Sequence, residues 1–128
     1  MAKGHRSQIK RERNAQKDMR ANAHVKNAPV SETKAKVILD SIRGKKIVDA
    51  MGILRFSPRK AATVVEKVLV SAVANAQNNL GLDIENLVIA ETYATKGLKL
   101  KRFRAGAMGK AKPRVTQKSH IYIILDEK

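Results

Sequence analysis

The chain has 128 residues, a formal net charge of +16 and no cysteine. That length sets a single domain, and the missing thiols exclude disulfides and thiolate metal sites. No apolar run approaches the roughly 18 residues a bilayer span requires. The charge is sorted. Residues 1–26 carry eight Lys/Arg against two acids, residues 96–118 carry nine against none, and the remainder is nearly neutral. Clustered cations of this kind imply a polyanionic partner, because neutralising phosphates releases condensed counterions without any need for sequence readout.

Residues 1–22 alternate charge with Gln, Asn, Ala and Ser, and their only large apolar groups are Met1, Ile9 and Met19. Such a composition cannot offset chain entropy by burial, so a disordered basic extension is expected, ordering as helix or extended chain on a polyanion. It lacks the apolar core of a secretory signal, which points to the cytoplasm. His24 to Val30 reads as a short strand broken by Pro29. Ser31 is placed as the N-cap of a first helix, with Glu32 at the positive end of the dipole. Ala35, Ile38, Leu39 and Ile42 follow at helical spacing, and Gly44 ends the helix. Ile47, Val48, Met51 and Leu54 indicate a second helix over about 46–55. A third begins at Ser57 as cap with Pro58 at the first turn. It shows a broad apolar face from Ala61 through Val65, Leu69 and Ala72 to Ala76, and stops at Asn78, Asn79 and Gly81.

The C-terminal third changes period. Leu87 to Ala94 and Ile121 to Leu125 read as strands. Between them the basic segment contains Gly106 and Gly109, which suit a tight turn. The economical reading is a long antiparallel hairpin that leaves the core near Thr95, turns at 106–109 and returns by Ser119. Its arm of about 11 residues reaches about 35 Å. The alternative is a disordered basic loop, uncommon at such length inside a domain. The expected fold class is α+β: three helices packed on a small antiparallel sheet, with a protruding basic β-hairpin over about 95–119. Residues 1–22 form the extension and 23–128 the single domain.

Sites for chemistry are missing. His5, His24 and His120 have no ligand-like spacing, and there is no cysteine nucleophile, phosphate-binding glycine loop or convincing Ser/His/Asp set. Asp83 and Glu85 read as a solvated turn. Neither an enzyme, a metal, a cofactor nor a small-molecule substrate is expected, and no membrane. Phe56, Tyr93, Phe103 and Tyr122 are the only ring residues of the Phe/Tyr/Trp class. They are too few for a base-stacking platform of the usual kind, so recognition is expected through phosphate, the 2′-hydroxyl and shape. The candidate phosphate contacts are Lys96, Lys99, Lys101, Arg102, Arg104, Lys110, Lys112, Arg114 and Lys118.

Four fragments occur in order: Ile42-Arg43-Gly44-Lys45-Lys46, Ser71-Ala72-Val73-Ala74-Asn75-Ala76-Gln77-Asn78-Asn79, Leu100-Lys101-Arg102 and Ser119-His120-Ile121. Together with the long basic hairpin they resemble the bacterial large-subunit ribosomal protein family uL22 (L22) over roughly residues 24–126. The resemblance implies a small domain on the outer face of the large subunit, among neighbouring ribosomal proteins. It also implies a hairpin that passes through 23S rRNA to line the nascent-peptide exit tunnel, and a part in early assembly. It adds Arg43, Lys45, Lys46, Arg59 and Lys60 as rRNA contacts at helix ends, with Ser119 and His120 on the returning strand. The tip, Arg104, Ala105, Gly106, Ala107, Met108, Gly109 and Lys110, would face the tunnel and the nascent peptide. The sequence departs from the family at this tip, which carries fewer charges, and at Ser31-Glu32-Thr33-Lys34, where the family is basic. The competing reading is a DNA-binding architectural protein with a basic β-arm. Such proteins are usually dimers with an apolar wedge at the arm tip, for which Met108 is the sole candidate.

Overall fold

The computed structural model describes residues 2–128, with side chains from Arg6 onward. The elements in chain order are α1 (Ala2–Ala15), β1 (Asn22–Ala28), α2 (Glu32–Ile42), α3 (Ile47–Phe56), α4 (Lys60–Leu80), β2 (Leu87–Ala105) and β3 (Ala111–Glu127). The α+β expectation holds, with α2, α3 and α4 as its three packed helices. α1 is an addition: the basic extension is helical over 14 residues, where sequence composition indicated disorder. Good helix formers (Ala, Gln, Lys, Arg) account for this. Its described side chains are exposed apart from half-buried Ile9, and none joins the core. A helix of this length without a packed face is marginal in water.

The stripe that defined the first predicted helix is the one buried in α2: Ala35, Ile38, Leu39 and Ile42. After Arg43 the chain turns onto the sheet edge. Gly44 N–H donates to the Ile89 carbonyl at 2.9 Å, and Ile89 N–H donates to the Lys45 carbonyl at 3.0 Å. α3 buries Ile47, Ala50 and Leu54. α4, about 31 Å long at the helical rise, buries Ala61, Ala62, Val65, Val68, Leu69, Ala72 and Ala76. Its small side chains allow close approach to β1, and Asn75 Nδ2 donates to the Asn22 carbonyl at 3.0 Å. Gly81 and Leu82 N–H groups cap the carbonyls of Gln77 and Ala76 at 3.2 Å each. The start of α4 differs from expectation. Ser57 closes α3 by donating its N–H to the Ile53 carbonyl, and α4 is capped at Arg59 without a side-chain bond. Pro58 holds the residue before it out of the helical region, so 57–59 becomes a link instead of a first turn.

The sheet order is β1-β3-β2, all antiparallel. Its inner face contributes Leu87, Ile89, Ala94, Ile121, Ile123 and Leu125 to one core with α2, α3 and α4. Each fully buried Leu or Ile contributes about 1.5–3 kcal/mol. β2 and β3 then run on beyond the body, paired from Lys99↔Gln117 to Ala105↔Ala111. The expected hairpin is present.

Where the hairpin leaves the body the three strands are tied together. The register between β2 and β3 slips between Lys96 and Lys99, and between β1 and β3 between Val25 and Ala28. Asn27 sits there with φ +54°. Its N–H donates to His120 Nδ1 at 3.0 Å, and its Oδ1 accepts the Leu98 N–H at 3.2 Å. Gly97 passes so close that a Cβ would lie 2.9 Å from the Lys118 carbonyl carbon and oxygen. Only glycine permits that approach without displacing backbone.

Candidate nucleic-acid interface

Strand geometry sorts the arm into two faces. Directly opposed residues of an antiparallel pair share a face. Leu100 and Thr116, Arg102 and Arg114, Arg104 and Lys112 are opposed pairs on one side. Lys99 and Gln117, Lys101 and Val115, Phe103 and Pro113 are opposed on the other. The first face therefore places Arg102 against Arg114 and Arg104 against Lys112. Like charges directly opposed across two strands are destabilising. No acidic residue occurs anywhere in 96–118 to relieve them. The second face is mixed, with Phe103 77 % exposed beside Pro113 and Val115. All the cations of the segment are exposed except half-buried Lys118. Among the described residues only Lys96 of the set has an ion pair, with Glu32 at 3.7 Å.

The tip turns as the glycines suggested. Gly106 N–H donates to the Lys110 carbonyl at 2.7 Å, and Lys110 N–H donates to the Ala107 carbonyl at 3.2 Å. Met108, at φ +56°, is fully exposed, and Gly109 follows at φ +70°. Arg104 and Lys110 flank an uncharged stretch of Ala105, Gly106, Ala107, Met108 and Gly109.

At the base of the arm lies a cleft of about 740 Å³. The beginnings of α2 and α4 both line it, through Ser31 and Lys34 and through Arg59, Lys60 and Ala61, while Val115 to Gln117 close the arm side. Neither helix has a side-chain cap. Their first N–H groups and positive dipole ends thus add to three cations, a setting that favours an anion such as phosphate. Lys34 and the arm residues of this cleft were not singled out in the sequence; the signal was their proximity to two helix starts, which only the tertiary fold reveals.

The remaining candidates separate. Arg43 is partly engaged: Nη2 donates to the Thr92 carbonyl at 2.8 Å and pairs with Asp40 at 3.0 Å. Lys45 and Lys46 are exposed on the loop pinned to β2. Ser119 is corrected: it is fully buried, its hydroxyl has no partner, and it faces no surface. The central strand places it between Ala28 and Lys96, under β1 and β2. His120 is half-buried with Nδ1 committed to Asn27. Among the described residues no cluster of His, Asp or Glu is arranged to hold a metal.

An acid-free cationic arm on a small α+β body is suited to contact with a polyanion. The comparisons with known proteins give the class its name. The family described as ribosomal protein L22p/L17e matches residues 23–126. The large ribosomal subunit protein uL22 of Lachnoclostridium phytofermentans is 50 % identical over 128 residues, covering both chains completely. Those of Lachnospira eligens and Agathobacter rectalis are 48 % and 47 % identical, again over the whole of both chains. The chain belongs to the L22p/L17e family of ribosomal proteins.

Proposed function

We propose that this protein is a non-enzymatic structural constituent of the large ribosomal subunit in the cytoplasm, where it binds 23S rRNA and neighbouring ribosomal proteins and supports subunit assembly. The observation that carries the reading is the pair of like-charge cross-strand contacts, Arg102 with Arg114 and Arg104 with Lys112, on an arm without acids. Phosphates would relieve the repulsion on such a face. Lys99 and Lys101 add cations on the opposite face of the arm and Lys110 and Lys118 at its two ends, while Lys34, Arg59 and Lys60 grip the backbone at the cleft and Lys45 and Lys46 at the sheet edge. The uncharged tip between Arg104 and Lys110 fits a confined lumen beside a nascent peptide better than it fits a phosphate. Residues 23–128 act as one domain, with the hairpin as its extended part. The test is co-sedimentation: the protein is expected in purified large subunits at about one copy each, and its absence there, with recovery on DNA, would favour the architectural alternative.

A further inference from the structure

The outer face of the sheet, opposite the helices, carries a feature that the arm and the cleft do not use. His24, Tyr122 and Tyr93 occupy the same level on β1, β3 and β2. Their rings are stacked across the three strands. The centroids are 5.5 Å apart for His24 and Tyr122 and 4.7 Å for Tyr93 and Tyr122, with planes within 16° and 17° of parallel. No helix or strand covers them. Tyr93 is 44 % exposed at the edge of the sheet, and its outer ring face ends the row. A shallow cleft of about 280 Å³ opens alongside, lined also by Lys17, Asn22 and Ile124. Two of the four Phe and Tyr rings in the chain are thus spent on one unburied row.

The charges around the row are mixed, and the open rings carry the argument. Two acids, Asp18 and Glu91, border it, and Arg20 bridges them, with Nη2 at 2.6 Å from Asp18 and 2.9 Å from Glu91, which leaves one negative charge on the trio; Asp126 lies on the same face, four residues from Tyr122. Lys17, beside the cleft, brings that group to neutrality. Lys26 lies two residues beyond His24, and Lys118 lies two beyond His120 on the strand that carries Tyr122, so strand alternation puts both on this face. A row of open rings, with Lys26 and Lys118 standing outside that neutral group, complements a strand that offers flat bases and phosphates at alternate positions. It does not suit an acidic peptide, which brings no ring to extend the stack, nor a duplex, whose bases are already stacked.

We propose that this row is a base-stacking site, on which an unpaired nucleobase of single-stranded RNA caps Tyr93 while Lys26 and Lys118 hold the adjoining phosphates. It rests on the RNA-binding reading and adds to it a contact that needs a base as well as a backbone. Stacking on an aromatic ring is the usual sequence-tolerant means of holding single strands.

The chain provides its own reporter. It has two tyrosines and no tryptophan, so its tyrosine emission comes from this row alone. The full-length protein is titrated with a short single-stranded oligoadenylate and, in parallel, with an abasic strand of the same length and charge. Oligoadenylate should quench the emission and shift the Tyr93 ring protons upfield, and the abasic strand should bind without either effect. Tyr93→Ala should weaken oligoadenylate binding about tenfold and leave abasic binding unchanged. Tyr93→Phe should restore the loss, which separates stacking from any defect in folding. Equal affinity for the two strands, or saturation with oligoadenylate and silent tyrosines, overturns the stacking site and leaves the RNA-binding reading standing. Failure to bind either strand overturns both.

Discussion

Replacing Gly97 with alanine should swing the hairpin. A Cβ at this position lies 2.9 Å from the Lys118 carbonyl carbon and oxygen and 3.1 Å from Asn27 Oδ1, whereas ordinary contact begins at 3.4 Å. The atoms in the way are mostly backbone, so the strands themselves must separate by about 0.5 Å. Strands lie about 4.8 Å apart, and an opening of that size on one side tilts the arm by about 6°. From Gly97 to Met108 the arm extends about 36 Å, and its tip therefore moves by about 4 Å. Overpacking of this kind costs about 1–3 kcal/mol. Urea unfolding reads the energy. The displacement is read by the distance between spin labels at Met108→Cys and Lys67→Cys, since the absence of native cysteine makes the labelling unambiguous. A Gly97→Ala protein with stability unchanged within about 0.5 kcal/mol and an unchanged label distance would refute the idea that the base sets the arm's direction.

Leu69→Ala, at a fully buried position of α4, should lose about 3 kcal/mol in urea unfolding without a change in slope. Arg59→Ala and Lys60→Ala should each lower the slope of log affinity for rRNA against log salt by about 1 and leave stability alone; an unchanged slope would remove them from the interface. Deleting 105–109 and rejoining the arm with a short turn should leave incorporation into large subunits nearly intact, because the deleted residues carry no charge; loss of the protein from those subunits would make the tip an anchor. Asp18 is held down at about 2, first by the side-chain hydrogen bond from Arg20. Its contribution to stability is present above the ordinary carboxylate value and is lost as pH falls through about 2. Asp18→Asn should therefore lower stability slightly at neutrality and converge with the parent protein as pH falls through about 2, which flattens the acid limb; an unchanged profile would show that the bracket around Arg20 is not formed in solution.

The helices were legible where one face is buried. Ala35, Ile38, Leu39 and Ile42 show the helical period because a single stripe meets the sheet, and the alanines of α4 mark where β1 comes close. The start of α4 was not legible, since Ser57 and Pro58 fit a cap equally well as they fit a link, and only the Ser57 N–H bond to Ile53 decides between them. α1 was read as disorder because burial was the criterion, whereas helical backbone there draws on propensity alone. The arm was visible through its charge and glycines. Its two faces were not, because they depend on register, and register is fixed by the slip between Lys96 and Lys99. The aromatic row escaped for the same reason. His24, Tyr93 and Tyr122 are far apart in sequence and meet only through the strand order β1-β3-β2. Ser119 shows the reverse error, where a fragment that marks the family is buried for packing and not displayed for contact.

The strand in the middle of the sheet follows both of its neighbours along the chain. Asn22 has no strand partner until Ile124 exists, and the chain between them includes all three packed helices and both sides of the arm. Pairing across so wide a sequence interval is slow, and the entropy of closing the intervening loop is lost before any contact rewards it. During synthesis the cations of 96–118 therefore emerge ahead of the core that will orient them. An RNA that captures them before Ile121, Ile123 and Leu125 have docked meets a flexible strand and competes with the sheet for it. One that arrives afterwards meets a spar already aimed. The position of one strand thus makes the order of folding and capture a kinetic race, with its outcome set by RNA concentration and by the rate at which the last strand finds its place.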